Sequence, residues 1–232
     1  MKTIFITGVN SGLGKALFNH CIESEYFVYG LLRNKEHYNS LAGSLPDNAC
    51  LILADVSEDA VIISIKNSVQ NKPVDLVINN AGIPGEASCL EDVQSDELLR
   101  LFNVHCAGAL RVTKALEQNL LSSTNGMVIN VNSRLGSITR QANGRYKDLT
   151  VSYAYRIAKA SQNMLTNCLR EEFQGKVKFI ALHPGKLKTD IAQPNADLEP
   201  TESAKYIIDA WESDSLVEVN GIIELPDSII EW

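Results

Sequence analysis

The sequence predicts an α/β protein in which helices cover both faces of a doubly wound, parallel sheet of about seven strands. Short apolar runs alternate with longer segments that carry helical spacing, and this alternation is typical of parallel strands joined by helices. The early apolar runs are nearly continuous, as expected of strands covered on both faces. No repeat, low-complexity tract or shift in composition divides the chain, so a single domain is predicted over residues 1–232.

The strands and helices are predicted from apolar runs and from helical spacing. The predicted strands are T-I-F-I-T (3–7), F-V-Y-G-L-L (27–32), A-C-L-I-L-A (49–54), D-L-V-I-N (75–79), M-V-I-N-V (127–131), V-K-F-I-A-L (177–182) and G-I-I-E-L (221–225). The predicted helices are 12–23, 58–69, 92–120, 153–173 and 201–213. Asp92 and Thr201 are the predicted N-caps of two helices, the second preceded by Pro200.

The composition argues against several classes of protein. Hydrophobic residues make up 45% of the chain, which is enough for a large core, and the net charge of −7 without a basic run argues against a nucleic-acid surface. The five cysteines are scattered and odd in number, as expected of reduced thiols (Cys21, Cys50, Cys89, Cys106, Cys168). The start is unlike a signal peptide and no apolar run reaches the length of a membrane span, so a cytoplasmic protein without a membrane partner is predicted. The four histidines lack metal-ligand spacing, so no metal site is predicted.

A glycine-rich turn follows the first strand. The segment T-G-V-N-S-G-L-G (7–14) places Gly8, Gly12 and Gly14 where this strand gives way to a helix. The amides and the positive dipole end of a helix N-terminus can hold a diphosphate if no side chains intrude. The spacing differs from the G-x-G-x-x-G fingerprint, and a turn without a ligand is the alternative. The position of the turn in an α/β chain favours a Rossmann-type dinucleotide site.

Two tyrosines and a lysine lie together in S-Y-A-Y-R-I-A-K (152–159). On a helix, residues four apart share a face, so Tyr155 has Lys159 beside it while Tyr153 has Ile157. A phenol has an ordinary pKa of about 10 and needs a neighbouring cation to react at neutral pH. Tyr155 is therefore the candidate for chemistry, and Tyr153 is a candidate for packing or for the substrate pocket.

Further motifs follow the later strands in a fixed order. N-N-A-G (79–82) follows the fourth strand, V-I-N-V-N-S (128–133) ends the fifth, and L-H-P-G-K-L-K-T (182–189) follows the sixth. With the glycine turn and Y-R-I-A-K (155–159), they resemble the short-chain dehydrogenase/reductase family over essentially the whole chain. Within the family, S-R-L-G-S-I (133–138), Arg156 and Trp232 resemble the C-factor/sniffer-like carbonyl reductases.

The resemblance implies catalytic roles for four residues. Tyr155 would protonate a carbonyl oxygen as hydride arrives, and Lys159 would supply positive charge and hold the nicotinamide ribose. Ser133 would donate a hydrogen bond to the substrate oxygen, and Asn103 matches the asparagine that holds a water for proton relay to the lysine. For Ser133 the alternative is a serine that caps a turn, and for Asn103 it is a polar helix residue bonded to the backbone.

The resemblance also implies a dinucleotide site, with NADP(H) preferred and NAD(H) possible. Its implied residues are Thr7, Gly8, Asn10, Ser11, Gly12, Leu13, Gly14, Arg33, Asp55, Val56, Asn80, Ala81, Gly82, Tyr155, Lys159, Pro184, Gly185, Leu187 and Thr189. Members that are specific for NAD place an acid at the end of the second strand, where this chain has Leu32 followed by Arg33. Arg33 would bind the 2′-phosphate, and an arginine that points into solvent is the alternative.

The sequence departs from the family pattern near the substrate. Asn132 stands where relatives often have serine, and Tyr155 follows Ser133 by 22 positions, which predicts an extra loop over the pocket. The short segment between Thr189 and Pro200 predicts a small substrate lid.

The function implied is an NADP(H)-dependent oxidoreductase that interconverts a small-molecule carbonyl and its alcohol. Two alternatives share the fold: a non-catalytic dinucleotide sensor or C-factor-like signalling protein, and an acyl-carrier-linked ketoreductase that docks through Arg140, Arg145 and Lys147. Relatives pair through residues 104–120, the later part of the helix predicted at 92–120, and through the helix predicted at 153–173, so a homodimer or homotetramer is predicted. Small residues on these helices would form its seam (Ala107, Ala109, Ala115, Ala158, Ala160).

Overall fold

The computed structural model describes residues 1–189, 196–224 and 228–232. Its strands are β1 (Thr3–Thr7), β2 (Phe27–Leu32), β3 (Ala49–Leu53), β4 (Leu76–Asn79), β5 (Met127–Val131), β6 (Lys178–His183), β7 (Ile222–Glu224) and β8 (Ser228–Ile230). They form one sheet in the order β3-β2-β1-β4-β5-β6-β7-β8. Neighbouring strands are parallel except β7 and β8, which are antiparallel. The predicted doubly wound α/β class is confirmed.

Helices cover both faces of this sheet. They are α1 (Gly12–Glu23), α2 (Lys35–Ala42), α3 (Ala60–Val69), α4 (Ser95–Phe102), α5 (Gly108–Leu121), α6 (Ile138–Ala142), α7 (Tyr153–Glu172) and α8 (Pro200–Glu212). A π-helical turn, Asn103–Ala107, joins α4 to α5, and a 3₁₀ turn, Arg134–Gly136, follows β5. Helices α1 and α8 pack on one face, and α3, α5 and α7 pack on the other.

Strand β1 shows why the apolar runs are nearly continuous. Alternate side chains of a strand point to opposite faces, so Ile4 and Ile6 contact the core under α1 and α8 while Phe5 contacts the other core. All three side chains are fully buried. A strand covered on both faces can hold a polar residue only where another buried group satisfies it, so apolar residues predominate in the sequence pattern.

The sheet has one strand more than predicted. Strand β8 is three residues long, and its Ser228 and Ile229 are exposed at the edge, so it lacks the apolar run that marks the inner strands. The strand predicted at 221–225 is observed at Ile222–Glu224, and Leu225 lies outside the described residues. Helices α2 and α6 were also absent from the prediction; neither contains a buried residue, so neither has an apolar stripe.

Both predicted N-caps are wrong. Helix α4 begins at Ser95 with Gln94 as its N-cap, while Asp92 accepts a hydrogen bond from the Cys89 thiol. Helix α8 begins one residue earlier than predicted, at Pro200, because Glu199 and Glu202 form a reciprocal capping box. Thr201 therefore lies inside the first turn.

The strand order places the functional motifs at one edge of the sheet. Strand β1 lies between β2 and β4, so the chain changes direction across the sheet at β1, and ligands of open α/β sheets bind outside the carboxyl ends of the strands at such a point. Four strands end there, at Thr7, Asn79, Val131 and His183, next to the predicted motifs. Among the described residues, no helix is long and apolar enough to cross a membrane.

Candidate active site

A cleft of about 620 Å³ lies at this edge of the sheet. It is lined by every residue predicted for the dinucleotide and for catalysis except Thr7 and Asn103. Residues that the sequence did not predict also line it, among them Ile83, Pro84, Gly85, Glu86, His105, Arg134, Val151, Ser152, His183 and Lys186. Its size suits a cofactor and a small substrate together.

The glycine turn leaves the N-terminus of α1 open to the cleft. Gly8 has a positive φ of +75°, and a Cβ there would lie 3.0 Å from the Cα of Ala81. A Cβ on Gly14 would collide with the carbonyl oxygen of Gly8. The N-cap residue, Ser11, makes no side-chain cap, so the first amides of the helix have no capping side chain. This arrangement fits a phosphate group.

Thr7 holds the N-N-A-G segment (79–82), which begins at the end of β4, in place. Its side chain is buried, and its Oγ1 accepts hydrogen bonds from the amides of Asn80 at 3.0 Å and Ala81 at 2.9 Å. The Asn80 side chain donates to the Thr7 carbonyl oxygen at 2.9 Å. Thr7 therefore fixes the N-N-A-G segment against β1 and does not itself line the cleft.

Asp55 and Arg33 face each other at the far end of the cleft. The Asp55 carboxylate accepts hydrogen bonds from the amide of Ser57 at 2.8 Å and from its hydroxyl at 2.7 Å. The Arg33 guanidinium lies 3.7 Å from the other Asp55 oxygen. Arg33 is largely exposed and Leu32 is buried, so Arg33 is the side chain at the end of β2 that can meet a charged group.

Ser133, Tyr155 and Lys159 meet at the other end. Helix α7 begins at Tyr153, and Ser152 caps it by accepting a hydrogen bond from the Tyr155 amide at 3.2 Å. The predicted register is therefore observed, and the Lys159 Nζ lies 5.8 Å from the centre of the Tyr155 ring. Ser133 lies two residues after the end of β5. The edge of the sheet therefore brings its hydroxyl to the end of the cleft where α7 places the Tyr155 phenol.

Burial determines the proton affinities of the tyrosine and the lysine. It raises the pKa of Tyr155 to about 12, while a hydrogen bond with Ser133 acts in the opposite direction. It lowers the pKa of Lys159 to about 7. The Lys159 ammonium donates to the carbonyl oxygen of Val131 at 2.7 Å and to Oε1 of Gln162 at 3.1 Å, and neither acceptor is charged. Tyr155 thus keeps its proton at neutral pH, while Lys159 can exchange one.

Asn103 is turned away from the cleft. It begins the π-helical turn, its amide donates to the carbonyl oxygen of Ser57 at 3.0 Å, and its Oδ1 accepts from Arg111 at 2.8 Å. The Arg111 guanidinium also lies 3.4 Å from the Asn103 carbonyl oxygen. These contacts match the alternative interpretation of Asn103 as a polar helix residue bonded to backbone.

Asn132 connects the serine to the helix of the lysine. Its Oδ1 accepts from the Ser133 amide at 2.7 Å, and its Nδ2 donates to the Lys159 carbonyl oxygen at 3.2 Å and to Oδ1 of Asn163 at 2.5 Å. A serine at this position is too short to make these bonds together. The sequence showed that Asn132 departs from the family pattern but gave no partner for it.

Gln162 begins a second buried chain of hydrogen bonds. Its Oε1 accepts from Lys159, and its backbone carbonyl oxygen accepts from the Thr166 hydroxyl at 2.9 Å. That hydroxyl accepts from Asn130, whose Oδ1 accepts from Asn79, the last residue of β4, at 2.8 Å. All five side chains are buried. The chain therefore ties the lysine to the strand that precedes the cofactor loop.

His105 is a cleft residue that was not among the predicted site residues. Its ring lies edge-on to Tyr155, with 5.4 Å between ring centres, and its Nε2 is 2.9 Å from the Ile83 carbonyl oxygen. Burial lowers the pKa of His105 to about 3, so the ring is neutral. The ring also packs against Gly82, where a Cβ would lie 2.6 Å from the His105 Cε1.

The long segment between Ser133 and Tyr155 is partly ordered into helix. Helix α6 occupies part of it, Tyr146 is buried with its hydroxyl donating to the Arg134 carbonyl oxygen, and residues 150–152 line the cleft. Tyr153 does not line the cleft, and the Arg156 guanidinium lies 5.0 Å from its ring centre. The predicted small lid after Thr189 falls largely on residues 190–195, which lie outside the described residues.

A family model for short chain dehydrogenases matches residues 2–199. The chain belongs to the short-chain dehydrogenase family. This confirms the resemblance drawn from the motifs and makes the protein an oxidoreductase that acts on alcohol or carbonyl groups.

Among short-chain dehydrogenase relatives, C-signal of Myxococcus xanthus is 36% identical over 137 residues, which cover 59% of this chain and 79% of that protein. The structure of NADPH-bound carbonyl reductase from chicken fatty liver superposes with a TM-score of 0.87 at 21% identity, covering 100% of this chain and 99% of the other. The carbonyl reductase Sniffer of D. melanogaster gives a TM-score of 0.84 at 25% identity, with complete coverage of both chains.

Proposed function

We propose that this family member is an NADP(H)-dependent carbonyl reductase, or alcohol dehydrogenase in the reverse direction, with Tyr155 as its general acid or base. One observation carries the proposal. Ser133, Tyr155 and Lys159 meet at one end of a single cleft, and the glycine turn and Arg33 lie along the rest of it. A small-molecule substrate beside Ser133 and Tyr155 would be adjacent to a cofactor that extends toward the glycine turn and Arg33.

The residues present fit a nicotinamide dinucleotide. Gly8, Gly12 and the uncapped amides of α1 would hold its phosphates, Asp55 and Val56 would contact the adenosine, and Lys159 would hold the nicotinamide ribose. Pro184, Gly185, Leu187 and Thr189 line the cleft beyond β6, where they would contact the nicotinamide. When bound, the cofactor supplies the hydride.

The protein's own groups would manage the proton and the developing charge. Tyr155, which burial keeps protonated, would give its proton to the substrate oxygen, and the Ser133 hydroxyl would hold that oxygen in place. Lys159 would stabilise the phenolate that remains. Because its pKa is about 7, it can also return a proton near neutral pH.

The preference for NADP(H) is supported by the end of β2. Leu32 is apolar where a carboxylate would repel a 2′-phosphate, and Arg33 can bind one through its planar fork. One Asp55 oxygen lies 3.7 Å from Arg33 while the other accepts two hydrogen bonds from Ser57, and the five N–H donors of the guanidinium leave Arg33 able to contact a phosphate as well. A relative of the same fold is described as NADPH-bound.

The alternatives keep less support. A signalling role has in its favour the similarity to the protein named C-signal, but the complete set of Ser133, Tyr155 and Lys159 favours an enzyme. The acyl-carrier-linked alternative has Arg145 and Lys147 exposed, and neither lines the cleft.

The proposal extends to the setting of the enzyme. We infer one domain over residues 1–232 and a cytoplasmic location, supported by the eight strands in one sheet and by five cysteines that are free thiols. A homodimer or homotetramer is proposed because apolar side chains are exposed on α4, α5 and α7.

The test is a screen of aldehydes, ketones and quinones that follows the absorbance of NADPH, with NADH in parallel. We expect turnover of at least one carbonyl class. The Tyr155→Phe protein serves as the matched control and should be inactive on the same compounds while it still binds NADPH. A wild-type protein that binds NADPH and reduces no member of the panel would favour the signalling alternative.

A further inference from the structure

Arg134 places a positive charge in the substrate end of the cleft. It directly follows Ser133, so the two Cα atoms are about 3.8 Å apart, as across any trans peptide. It begins the 3₁₀ turn Arg134–Gly136, and its backbone is fixed because its carbonyl oxygen accepts hydrogen bonds from the Tyr146 hydroxyl and from the Ser137 amide. The residue is half-buried and lines the cleft.

Within the described residues, this charge has no ion-pair partner. The salt bridges of the structure include Arg33 with Asp55 at 3.7 Å and Arg100 with Glu86 at 3.5 Å, and these are the two acids that line the cleft. Among the residues that the structure describes, the cleft is lined by four cationic side chains and two acids, and each of these acids is already paired, although the whole chain has a net charge of −7. An anionic ligand would find Arg134 available.

A second observation points to a ligand at the same place. His183 at the end of β6 is only 7% exposed and lines the cleft, and neither of its ring nitrogens makes a hydrogen bond of good geometry in the described residues, although the nearby Asn132 backbone acts to raise its pKa. Burial lowers the pKa of His183 to about 4, and the positive charge of Arg134 is the second cause. The ring is therefore neutral at pH 7. Buried polar groups are normally satisfied, so an unpartnered histidine in a cleft indicates a missing partner.

One carboxylate, that of Glu224, lies near His183. Glu224 Oε1 lies 3.6 Å from the His183 Nε2, beyond hydrogen-bond distance, and its Oε2 accepts from the Ser228 hydroxyl at 3.0 Å. Glu224 does not line the cleft and is beyond ion-pair distance of Arg134. At 3.6 Å it leaves the single N–H of the neutral imidazole free to donate elsewhere, and it does not occupy the Arg134 guanidinium.

We propose that the substrate is a carbonyl compound that carries a carboxylate, and that Arg134 binds this carboxylate with His183 beside it. The proposal rests on the proposed function, because Ser133 and Tyr155 must hold the reacting carbonyl. A guanidinium binds a carboxylate through two parallel N–H groups, and a neutral imidazole can add a third donor. Because Arg134 and Ser133 both line the cleft, one small molecule could present its carbonyl to Ser133 and its carboxylate to Arg134.

The test compares 3- and 4-carboxybenzaldehyde with the matching 3- and 4-methylbenzaldehydes, using NADPH. We expect wild type to prefer at least one acid over its methyl counterpart by more than tenfold in kcat/KM. Arg134→Met should lower kcat/KM for that acid about 30-fold and leave the methyl compound within threefold, as expected for the loss of a hydrogen bond to a charged group. Arg145→Met removes an exposed arginine that does not line the cleft and should change neither value.

Two outcomes would overturn the proposal: no preference for either acid in the wild type, or an equal loss on both kinds of aldehyde in Arg134→Met. Arg134→Lys, which keeps the charge and loses the fork, should recover part of the preference and guards against a general defect of Arg134→Met. If no aldehyde is reduced, the proposed function fails for this class, and calorimetric titration of 4-carboxybenzyl alcohol against 4-methylbenzyl alcohol still decides the carboxylate site. Binding of the acid that is lost in Arg134→Met supports it, whereas absent or unchanged binding refutes it.

Discussion

At the scale of single residues, the two tyrosines at the start of α7 differ only in what lies around their hydroxyls. Tyr155 lines the cleft with Lys159 one turn along, and Tyr153 packs under Arg156 outside it. Tyr155→Phe should lower kcat by about 10³-fold through loss of the proton donor, within the usual range for general acid catalysis, with the Kd for NADPH within about threefold. Tyr153→Phe should keep most activity. Steady-state kinetics and fluorescence titration of both proteins would test this, and the reverse pattern would contradict the assignment.

Arg33 is the residue that we expect to choose the cofactor. Arg33→Ala should lower kcat/KM for NADPH by about 10- to 100-fold, because a charge-assisted bond to the 2′-phosphate is lost, and should leave NADH within about threefold. The buried position of Leu32 makes Leu32→Asp a poorer single test, since a carboxylate there would also be desolvated. Adding it to Arg33→Ala should shift the preference further toward NADH. Equal kcat/KM for the two cofactors in the wild type would disprove the claim.

At the scale of elements, helix α7 carries a lysine into the interior of the protein. Lys159 is held between β5 and its own helix by two neutral oxygens, and no carboxylate in the described part of the chain forms an ion pair with it. The buried chain from Gln162 to Asn79 and the bonds of Asn132 lock α7 onto β4 and β5. The helix can therefore place the lysine reproducibly, but it does so at a cost in stability while the lysine is charged.

This cost predicts a pH dependence of stability. The pKa of Lys159 is about 7 when folded, against 10.5 for an ordinary lysine, so between these values the unfolded chain binds a proton that the folded chain does not. Stability then rises with pH across this window, by up to about 1.4 kcal/mol per pH unit, and the contribution is flat below pH 7. The unfolding free energy of wild type minus that of Lys159→Met should follow this rise in urea titrations.

The matched control for this prediction is Lys114→Met, which removes an exposed lysine from α5. Its difference from the wild type should stay constant over the same pH range, because Lys114 is exposed to solvent and folding does not bury its charge. A constant difference for Lys159→Met as well would mean that Lys159 keeps its charge in the folded protein.

At the scale of the whole molecule, one surface combines apolar side chains from three helices. The exposed apolar side chains are Leu99 and Phe102 on α4, Leu110 on α5, and Ile157 and Met164 on α7. The pairs on α4 and on α7 each recur at helical spacing, so each pair shares one face of its helix. Helix α4 packs directly against α7. Three of the alanines predicted to form the seam, Ala109, Ala115 and Ala158, are buried within the chain, so larger side chains carry the argument for assembly.

This surface predicts the oligomer. The wild type should scatter light as a dimer or tetramer at micromolar concentration, and Met164→Glu should shift it toward the monomer, because a carboxylate would be buried in the shared face. Ile63→Glu, at an equally exposed position on α3, is the control and should leave the mass unchanged. A monomeric wild type would refute the prediction.

The sequence by itself determined the α/β class, most of the inner strands and the residues expected to do the chemistry. These features are local: a strand covered on both faces must be apolar throughout, and Tyr155 reaches Lys159 because helix geometry brings residues four apart together. The sequence did not predict the short edge strand β8 or helices α2 and α6. They have few or no buried side chains, so they carry no apolar pattern.

Only the tertiary structure decided which distant residues serve those groups. Asn132 and Asn163 are 31 positions apart, and Asn79 and Asn130 are 51 apart, so no local spacing could pair them. The same holds for Asn103, which folding directs toward Arg111 and Ser57, and for Arg134 and His183, which β5 and β6 bring to one end of the cleft. The physical reason is that side-chain hydrogen bonds and charges act over a few ångströms, and the packing of the sheet and its helices decides which residues come that close.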